Sequence, residues 1–372
     1  MGVLDTGINY SHPDLTGNIW VNSTTGYHGW NFTGGSNNNL VLDSWGHGTH
    51  VAGTIGALTY NGVGVAGVSW DVRLMSLKIF QTNSGSTSTI QDAINAIHFA
   101  DVNGVAISSN SWSGPDTSPP LSLKDAIDAS PQLFITAAGN SANNIETSPE
   151  YPAALTSNNI ISVAASDQND QLALFSNWGP VSVDLAAPGV NMLNTACANF
   201  GVSDPQCGYY YMSGTSMATP QVSGVAALIK SVNPRLTNIQ IKNIILNNVD
   251  VLQSLSGKVK TNGRLNASKA MLAAQSTAQP DKIGVYKDGG WYLDYNGDGL
   301  FTAGVDKAYG FGAPQWTSVI GDWNADGKTE IGVYKDGGWY LDYDGDGLYT
   351  AGVDKAYGFG APLWTPAVGK WS

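Results

Sequence analysis

The sequence predicts an α/β protein, built on a doubly wound, mostly parallel sheet and followed by a small all-β repeat region. Two observations lead to this. Strand-like and helix-like segments alternate through about the first 275 residues, and such alternation builds a parallel sheet with helices on both faces. Beyond a linker, a stretch beginning at Ile283 recurs from Ile331, 48 residues later, with 34 identities over the 42 positions that can be compared. That makes it an internal repeat.

The elements follow in order. "LDTG" places Asp5 at the end of a short strand, and "GHGTHVAGT" (46–54) places His47 between two glycines ahead of a small-residue helix. "RLMSLKIF" (73–80) reads as a buried strand. In "STIQDAINAIHFADVNG" (88–104), Ile90, Ala93, Ile94 and Ile97 share one helix face and Gly104 supplies the stop. "VAISSNSW" (105–112) is a strand, "LSLKDAIDAS" (121–130) a helix, and "QLFITAAGN" (132–140) and "IISVAAS" (160–166) are further strands. "SGTSMATPQVSGVAALIK" (213–230) puts Ser216 at the mouth of an apolar helix. In such sheets functional residues gather beyond the C-terminal strand ends.

The character changes near "AAQSTAQPDK" (273–282). The division expected is a first domain over 1–275, a linker over 276–282 and β-rich repeats over 283–372. A 48-residue period suits a propeller-blade-like β unit, which buries its apolar face only by stacking on neighbours. Two copies are few for such an architecture, so the repeat array is expected to be incomplete.

Composition narrows the function. The chain has 372 residues, 12% of them charged, and a formal net charge of −12. No basic patch offsets that charge, which argues against nucleic acid or an anionic membrane surface as partner. No apolar run approaches the roughly 18 residues of a membrane helix, and the N-terminus shows no signal-peptide pattern. Cys197 and Cys207 are close enough for a local disulfide in an oxidising compartment; two free thiols are the alternative.

Four segments carry residue types that together can cleave an amide. Serine becomes a nucleophile when a neutral imidazole takes its proton and a carboxylate orients that imidazole. The tetrahedral oxyanion then needs donors, such as a backbone N–H at a helix start or a side-chain amide. Asp5, His47, Ser216 and Asn140, which ends the strand in "TAAGN", supply these groups.

With "LDTGI", "GHGTHVAG", "AAGN" and "SGTSMATP" in this order, and with "SHPDL", "LAAPGV" and "GRLNA" beside them, the chain resembles the subtilases, the subtilisin-like serine proteases, from residue 1 to about 275. The resemblance implies a secreted endopeptidase with a subtilisin-like fold. Asp5 would orient, His47 would act as general base and then acid, Ser216 would attack, and Asn140 would bind the oxyanion. It also implies that an extended peptide pairs with "NSWSG" (110–114) as an added strand. Ser111, Trp112 and Ser113 would line one wall of the first specificity pocket, and Ala137, Ala138 and Gly139 with Asn140 the other. A broad preference for large apolar side chains before the scissile bond is expected, with polypeptides as substrates and a propeptide as a possible inhibitor. Ser113 stands where the family commonly has glycine, and Gln221 where it usually has histidine.

Calcium is expected in two places. By resemblance, Asp14 of "SHPDL" shares a structural ion with the "TYNGVG" loop through Asn61. In the repeats, "DYNGDG" (Asp294, Asn296, Asp298), "DWNADGKTE" (Asp322, Asn324, Asp326, Glu330) and "DYDGDG" (Asp342, Asp344, Asp346) present oxygen ligands at alternating positions before a glycine. Calcium takes six to eight such oxygens; Asx turns are the alternative reading. These loops resemble calcium-loop repeats of the FG-GAP/VCBS type, found in extracellular and cell-surface proteins. Repeats of that kind would engage a cell-surface glycan or protein.

Subtilases carry a further segment before the orienting aspartate. The chain is therefore expected to be a fragment or to have a misassigned start, with unpaired residues ahead of Asp5 and poor folding when expressed alone. The alternative function is an inactive fragment or a surface protein acting as a calcium-dependent binding or adhesion module.

Overall fold

The structure is a computed structural model. It describes all residues except 35–37, 44, 81–88, 117, 199–205, 277–283, 295–299, 322, 324–328 and 369–372. The chain forms two compact units, Met1–Ser276 and Thr277–Ser372.

In chain order, the strands of the first unit are β1 (Gly2–Asp5), β2 (Gly29–Asn31), β3 (Met75–Lys78), β4 (Ile107–Asn110), β5 (Gly114–Pro115), β6 (Leu133–Ala137) and β7 (Glu150–Tyr151). They continue with β8 (Ile160–Ser166), β9 (Leu185–Pro188), β10 (Met192–Ala198), β11 (Gln206–Met212), β12 (Asp250–Val251) and β13 (Gly263–Arg264). The helices are α1 (His47–Gly56), α2 (Ile90–Val102), α3 (Leu121–Ala129), α4 (Thr215–Val232), α5 (Asn238–Asn247) and α6 (Ala267–Ser276).

Nine strands form one sheet in the order β12-β13-β9-β8-β6-β4-β1-β3-β2. All neighbours pair parallel except β12 with β13. Strands buried on both faces read as continuous apolar runs rather than alternating ones, and β8, "IISVAAS", is buried along its whole length. Ile107, Leu133, Ile135, Ile161 and Val163 pack on one face against α4 and α5 through Ala218, Val222, Val225, Ile241 and Ile245. On the other face Leu4, Met75, Leu77 and Phe134 meet α2 and α3 through Ala93, Ile97, Leu123 and Ile127. Thr89 caps α2 in a reciprocal box with Asp92, and Thr237 caps α5 with Gln240, which satisfies amides that the first turn leaves without partners.

The residues ahead of Asp5 are not unpaired, contrary to the sequence expectation. Gly2 to Asp5 run in register with Met75 to Lys78, and Gly2 and Val3 also pair with Ser108 and Ser109. Crossover connections bring these partners from far along the chain, so a four-residue strand sits inside the sheet between β3 and β4 with all four residues buried.

The second unit holds two antiparallel sheets, β14 (Gly284–Lys287), β15 (Gly290–Leu293) and β16 (Lys307–Tyr309), then β17 (Thr317–Gly321), β18 (Glu330–Lys335), β19 (Gly338–Leu341) and β20 (Lys355–Gly358). The repeat shows in the hydrogen bonds. Trp291 Nε1 donates to Phe311 O at 3.0 Å and Trp339 Nε1 to Phe359 O at 2.8 Å. Tyr286 and Tyr334 hydroxyls donate to Ala313 O and Ala361 O, each at 3.0 Å. Trp291 and Phe311 of the first copy share a core with Ile331 and Val333 of the second.

Candidate active site

The chain places Asp5 at the carboxyl end of β1, Ser111 just past β4, and Asn140 three residues past β6. The strand order turns back around β1, because β3 lies on one side of it and β4 on the other. A crevice outside the carboxyl ends at such a reversal is where open α/β sheets bind ligands.

His47 is the first residue of α1, and Ser216 is the second residue of α4. The two helices share a core in which Met217 packs with Val51, Ala52 and Ile55. Close approach matters here: a Cβ on Gly48 would lie 2.2 Å from Gly7 O, so only glycine lets α1 start against the loop after Asp5. His47 Nδ1 lies 2.7 Å from Asp5 Oδ1, which also accepts from Thr6 N at 2.7 Å; among the described residues the buried Asp5 Oδ2 has no hydrogen-bond partner. Burial would lower the His47 pKa, but the charge and hydrogen bond of Asp5, with the more distant Asp43, outweigh it and hold the imidazole above its ordinary value.

Ser216 Oγ donates to Ser111 O at 3.1 Å, and Ser111 Oγ donates to Ser216 O at 2.8 Å. Among the described residues no hydrogen bond joins Ser216 to His47. The second of these contacts has a sequence origin. Pro220 stands four residues on and has no N–H, so the helical partner of Ser216 O is missing, and Ser111 supplies one. Asn140 Oδ1 accepts from Thr215 N at 2.9 Å and from Thr215 Oγ1 at 3.0 Å. That fixes the amide with its nitrogen as the remaining polar end, beside a helix start whose first amides have no intrahelical acceptor.

The expected pocket walls lie on either side. Trp112 packs among the residues against α2 and α3, edge-on to Phe134 at 6.4 Å, and its buried indole nitrogen has no partner among the described residues. Ser113 Oγ donates to Glu150 Oε2 at 2.9 Å. Ala137 ends β6, Ala138 O accepts from Asn177 Nδ2 at 2.9 Å, and Gly139 N donates to Thr215 Oγ1 at 3.2 Å.

Several residues near the site were missed in the sequence. Buried Asp43 accepts from Thr6 Oγ1, Trp45 N, Gly46 N, Thr49 N and Thr49 Oγ1, and so shapes the turn into α1. Its position four before His47 was the available signal. Trp45 stacks on the His47 ring at 5.5 Å. The Lys78 ammonium bonds to Thr6 O and Leu42 O, and burial lowers its pKa against the pull of Asp43 and Asp5. The cysteines were not missed: of the two alternatives expected, the disulfide is the one present, joining Cys197 and Cys207 at facing positions of β10 and β11, and His50 Nε2 on α1 lies 3.0 Å from Met192 O and 3.1 Å from Tyr210 O of that hairpin.

The candidate calcium residues divide. Asp14 is fully buried; its oxygens accept from Asn61 Nδ2 at 2.6 Å and Val65 N at 2.9 Å. The two expected residues thus meet, but Asn61 presents its nitrogen, and its oxygen accepts from Val63 N. The loop from Leu58 to Ala66 lines a shallow, open depression, and among the described residues the buried Thr59 Oγ1 has no hydrogen-bond partner. In the second unit Asp342, Asp344 and Asp354 bring carboxylate oxygens within 4.8 Å of one another, a donor set that suits calcium. Burial, with Asp354 and Asp346 adding repulsion, pushes the Asp342 pKa up to about 6. Asp354 lies outside the expected loop and was not foreseen. Asp346 accepts from Leu348 N, and Glu330 Oε2 accepts from Trp323 N at 3.0 Å. Asp294 is buried; Asn296, Asp298, Asp322, Asn324 and Asp326 lie outside the described residues.

Comparison with known proteins follows the same line. The Subtilase family (Peptidase_S8) profile matches residues 1–312. The chain is 38% identical over 274 residues to a thermostable alkaline protease of Halalkalibacterium halodurans, covering 73% of this chain and 66% of that one, so it spans slightly less than two thirds of that relative. It is 37% identical over 275 residues to Subtilisin Savinase of Lederbergia lenta, covering 73% and 89%. A solved protease of Pseudoalteromonas arctica superposes with a TM-score of 0.64 at 27% identity, over 73% of this chain and 89% of that one. By fold, by profile and by these relatives, the chain belongs to the subtilase family of subtilisin-type serine peptidases.

Proposed function

We propose that the protein is an extracellular serine endopeptidase whose catalytic domain spans residues 1–275, followed by a linker and a calcium-stabilised repeat module. The observation that carries the reading is the 2.7 Å contact between His47 Nδ1 and Asp5 Oδ1, at the strand ends where Ser216 and Asn140 also stand. That contact leaves His47 Nε2 as the base. Ser216 Oγ, after rotating away from Ser111 O, attacks the peptide carbonyl carbon while its proton passes to His47. The oxyanion is held by Asn140 Nδ2 and the Ser216 N–H. His47 returns the proton to the departing amine, and water then hydrolyses the acyl-enzyme by the same steps reversed.

Among the described residues, Ser111–Ser113 belong to no strand, which supports this segment as the edge that an extended substrate joins. Trp112, Ala137 and Ala138 support an apolar contribution to the preference before the scissile bond. Bound calcium would act as a structural cross-link, held in the first unit by Asp14 and, once its amide turns over to present oxygen, by Asn61, and in the second unit by Asp342, Asp344 and Asp354. The repeats are the part suited to a glycan or protein partner.

Hydrolysis of unstructured protein substrates by the purified chain tests the reading. Activity that disappears in Ser216→Ala is the expected result; activity that survives in that variant overturns it.

A further inference from the structure

Glu150 is a residue that neither motif nor spacing singles out, and its surroundings are unusual. It is 5% exposed, on the short strand β7, where it pairs with Pro115 of β5. Its Oε2 accepts from Ser113 Oγ at 2.9 Å and its Oε1 from Ser141 Oγ at 2.8 Å. A Cβ on Gly139, whose φ is +104°, would fall 2.1 Å from Glu150 Oε2. The carboxylate therefore lies against the backbone of Gly139, between the segment 111–113 and the segment 137–139. These are the two segments that touch the head of the nucleophile's helix, through Ser111 to Ser216 and through Gly139 to Thr215.

Among the described residues no lysine, arginine or histidine pairs with Glu150. Two hydroxyls satisfy part of a carboxylate's roughly four acceptor positions, and a buried carboxylate without a counter-charge is costly. Two carboxylates of the same unit that are more exposed, Asp250 and Asp170, do share a cation, Arg264. The flanking residues Trp112, Ala137 and Ala138 are apolar. A side chain that suits this place has an apolar stem and a cationic end, which is the form of lysine and arginine.

We infer that Glu150 is a specificity-determining residue that selects lysine or arginine immediately before the scissile bond. This rests on the endopeptidase reading and refines the apolar preference, because the stem meets the apolar flanks while the charge meets the carboxylate. Ser113 takes on a role too: its hydroxyl holds the Oε2 end of the carboxylate, a hydrogen bond that glycine there would not supply.

The test is a set of peptides differing only at the residue before the cleaved bond, with lysine, arginine, leucine, phenylalanine or glutamate. The full chain is expected to show kcat/KM for lysine and arginine at least about tenfold above leucine and phenylalanine, with glutamate poorest. In Glu150→Gln, which keeps the shape and much of the hydrogen bonding, the ratio of lysine to phenylalanine should fall by about tenfold or more, chiefly through KM for lysine. Benzamidine, a small cationic probe, should inhibit the unmodified chain and bind more weakly to Glu150→Gln. A chain that cleaves the peptides with an apolar preference, or a folded Glu150→Gln whose ratio stays within twofold, overturns the assignment of Glu150 while leaving the endopeptidase reading intact. A chain that cleaves none of the set overturns both.

Discussion

At the scale of single residues, the chemistry turns on the balance at His47. Its pKa is raised in the fold because Asp5 and Asp43 outweigh burial. A raised histidine pKa favours the charged form, so the Asp5–His47 pair stabilises the fold fully below the ordinary value near 6.5 and loses that contribution as pH rises through the folded value. Catalysis needs the opposite form. The ascending limb of kcat/KM against pH should therefore have its midpoint above 6.5. Asp5→Asn should move that midpoint down and lower kcat by about 10⁴-fold, the size of the effect when the equivalent carboxylate is lost in another serine protease. Asn140→Ala should lower kcat by about 10²–10³-fold with little change in KM; this is the magnitude known for the oxyanion amide of subtilisin itself.

At the scale of elements, the β10–β11 hairpin is fastened in two ways, by the Cys197–Cys207 disulfide and by His50 reaching across from α1. A disulfide closing a loop of this length contributes about 3 kcal/mol. Replacing both cysteines by serine should lower chemical-denaturation stability by about that amount. The edge strands have a different fastening. Arg264 on β13 bridges Asp170 and Asp250, and Lys269 and Asn266 also reach Asp250. The Lys269 and Asn266 hydrogen bonds lead in holding the Asp250 pKa down to about 2. A depressed carboxylate contributes stability above its ordinary value near 4 and loses it as pH falls toward 2. Acid unfolding should therefore begin at higher pH in Asp250→Asn than in the unmodified chain.

The same scale shows what could be read from sequence. The α2 and α3 helices and the strands β3, β4, β6 and β8 announce themselves by apolar period and by stops such as Gly104, because burial on a sheet face imposes that period. Asp5, His47, Ser216 and Asn140 could be singled out because each stands in a distinctive local setting of small residues. Glu150 could not, since its nearness to Ser113 and Gly139 arises from a two-residue pairing between β5 and β7 and leaves no local pattern. Asp354 was missed for a similar reason: its carboxylate reaches Asp342 and Asp344 from beyond the loop that carries the visible alternation. The pairing of Gly2 to Asp5 was misjudged because parallel partners come from residues 75–78 and 108–109, where nothing nearby in sequence points back to the N-terminus.

At the scale of the molecule, the two units differ in what holds them together. Met1–Ser276 has layered cores on both faces of a large sheet, whereas Thr277–Ser372 has two small aromatic clusters and a convergence of carboxylates. Removing calcium by chelation should lower the unfolding temperature of the second unit more than that of the first. Asp354→Ala should abolish the calcium dependence of the second unit, and Asp14→Ala should reduce that of the first; calorimetry with and without calcium reads both.

The central claim is that Asp5, His47 and Ser216 act together on a peptide carbonyl. Its most direct test is treatment of the full chain with a fluorophosphonate, followed by mass mapping of the adduct. A single adduct on Ser216, formed faster as pH rises through the His47 titration and lost in His47→Ala, is the predicted result. An unmodified Ser216 under conditions that label other subtilases, or labelling at the same rate without His47, would contradict the account.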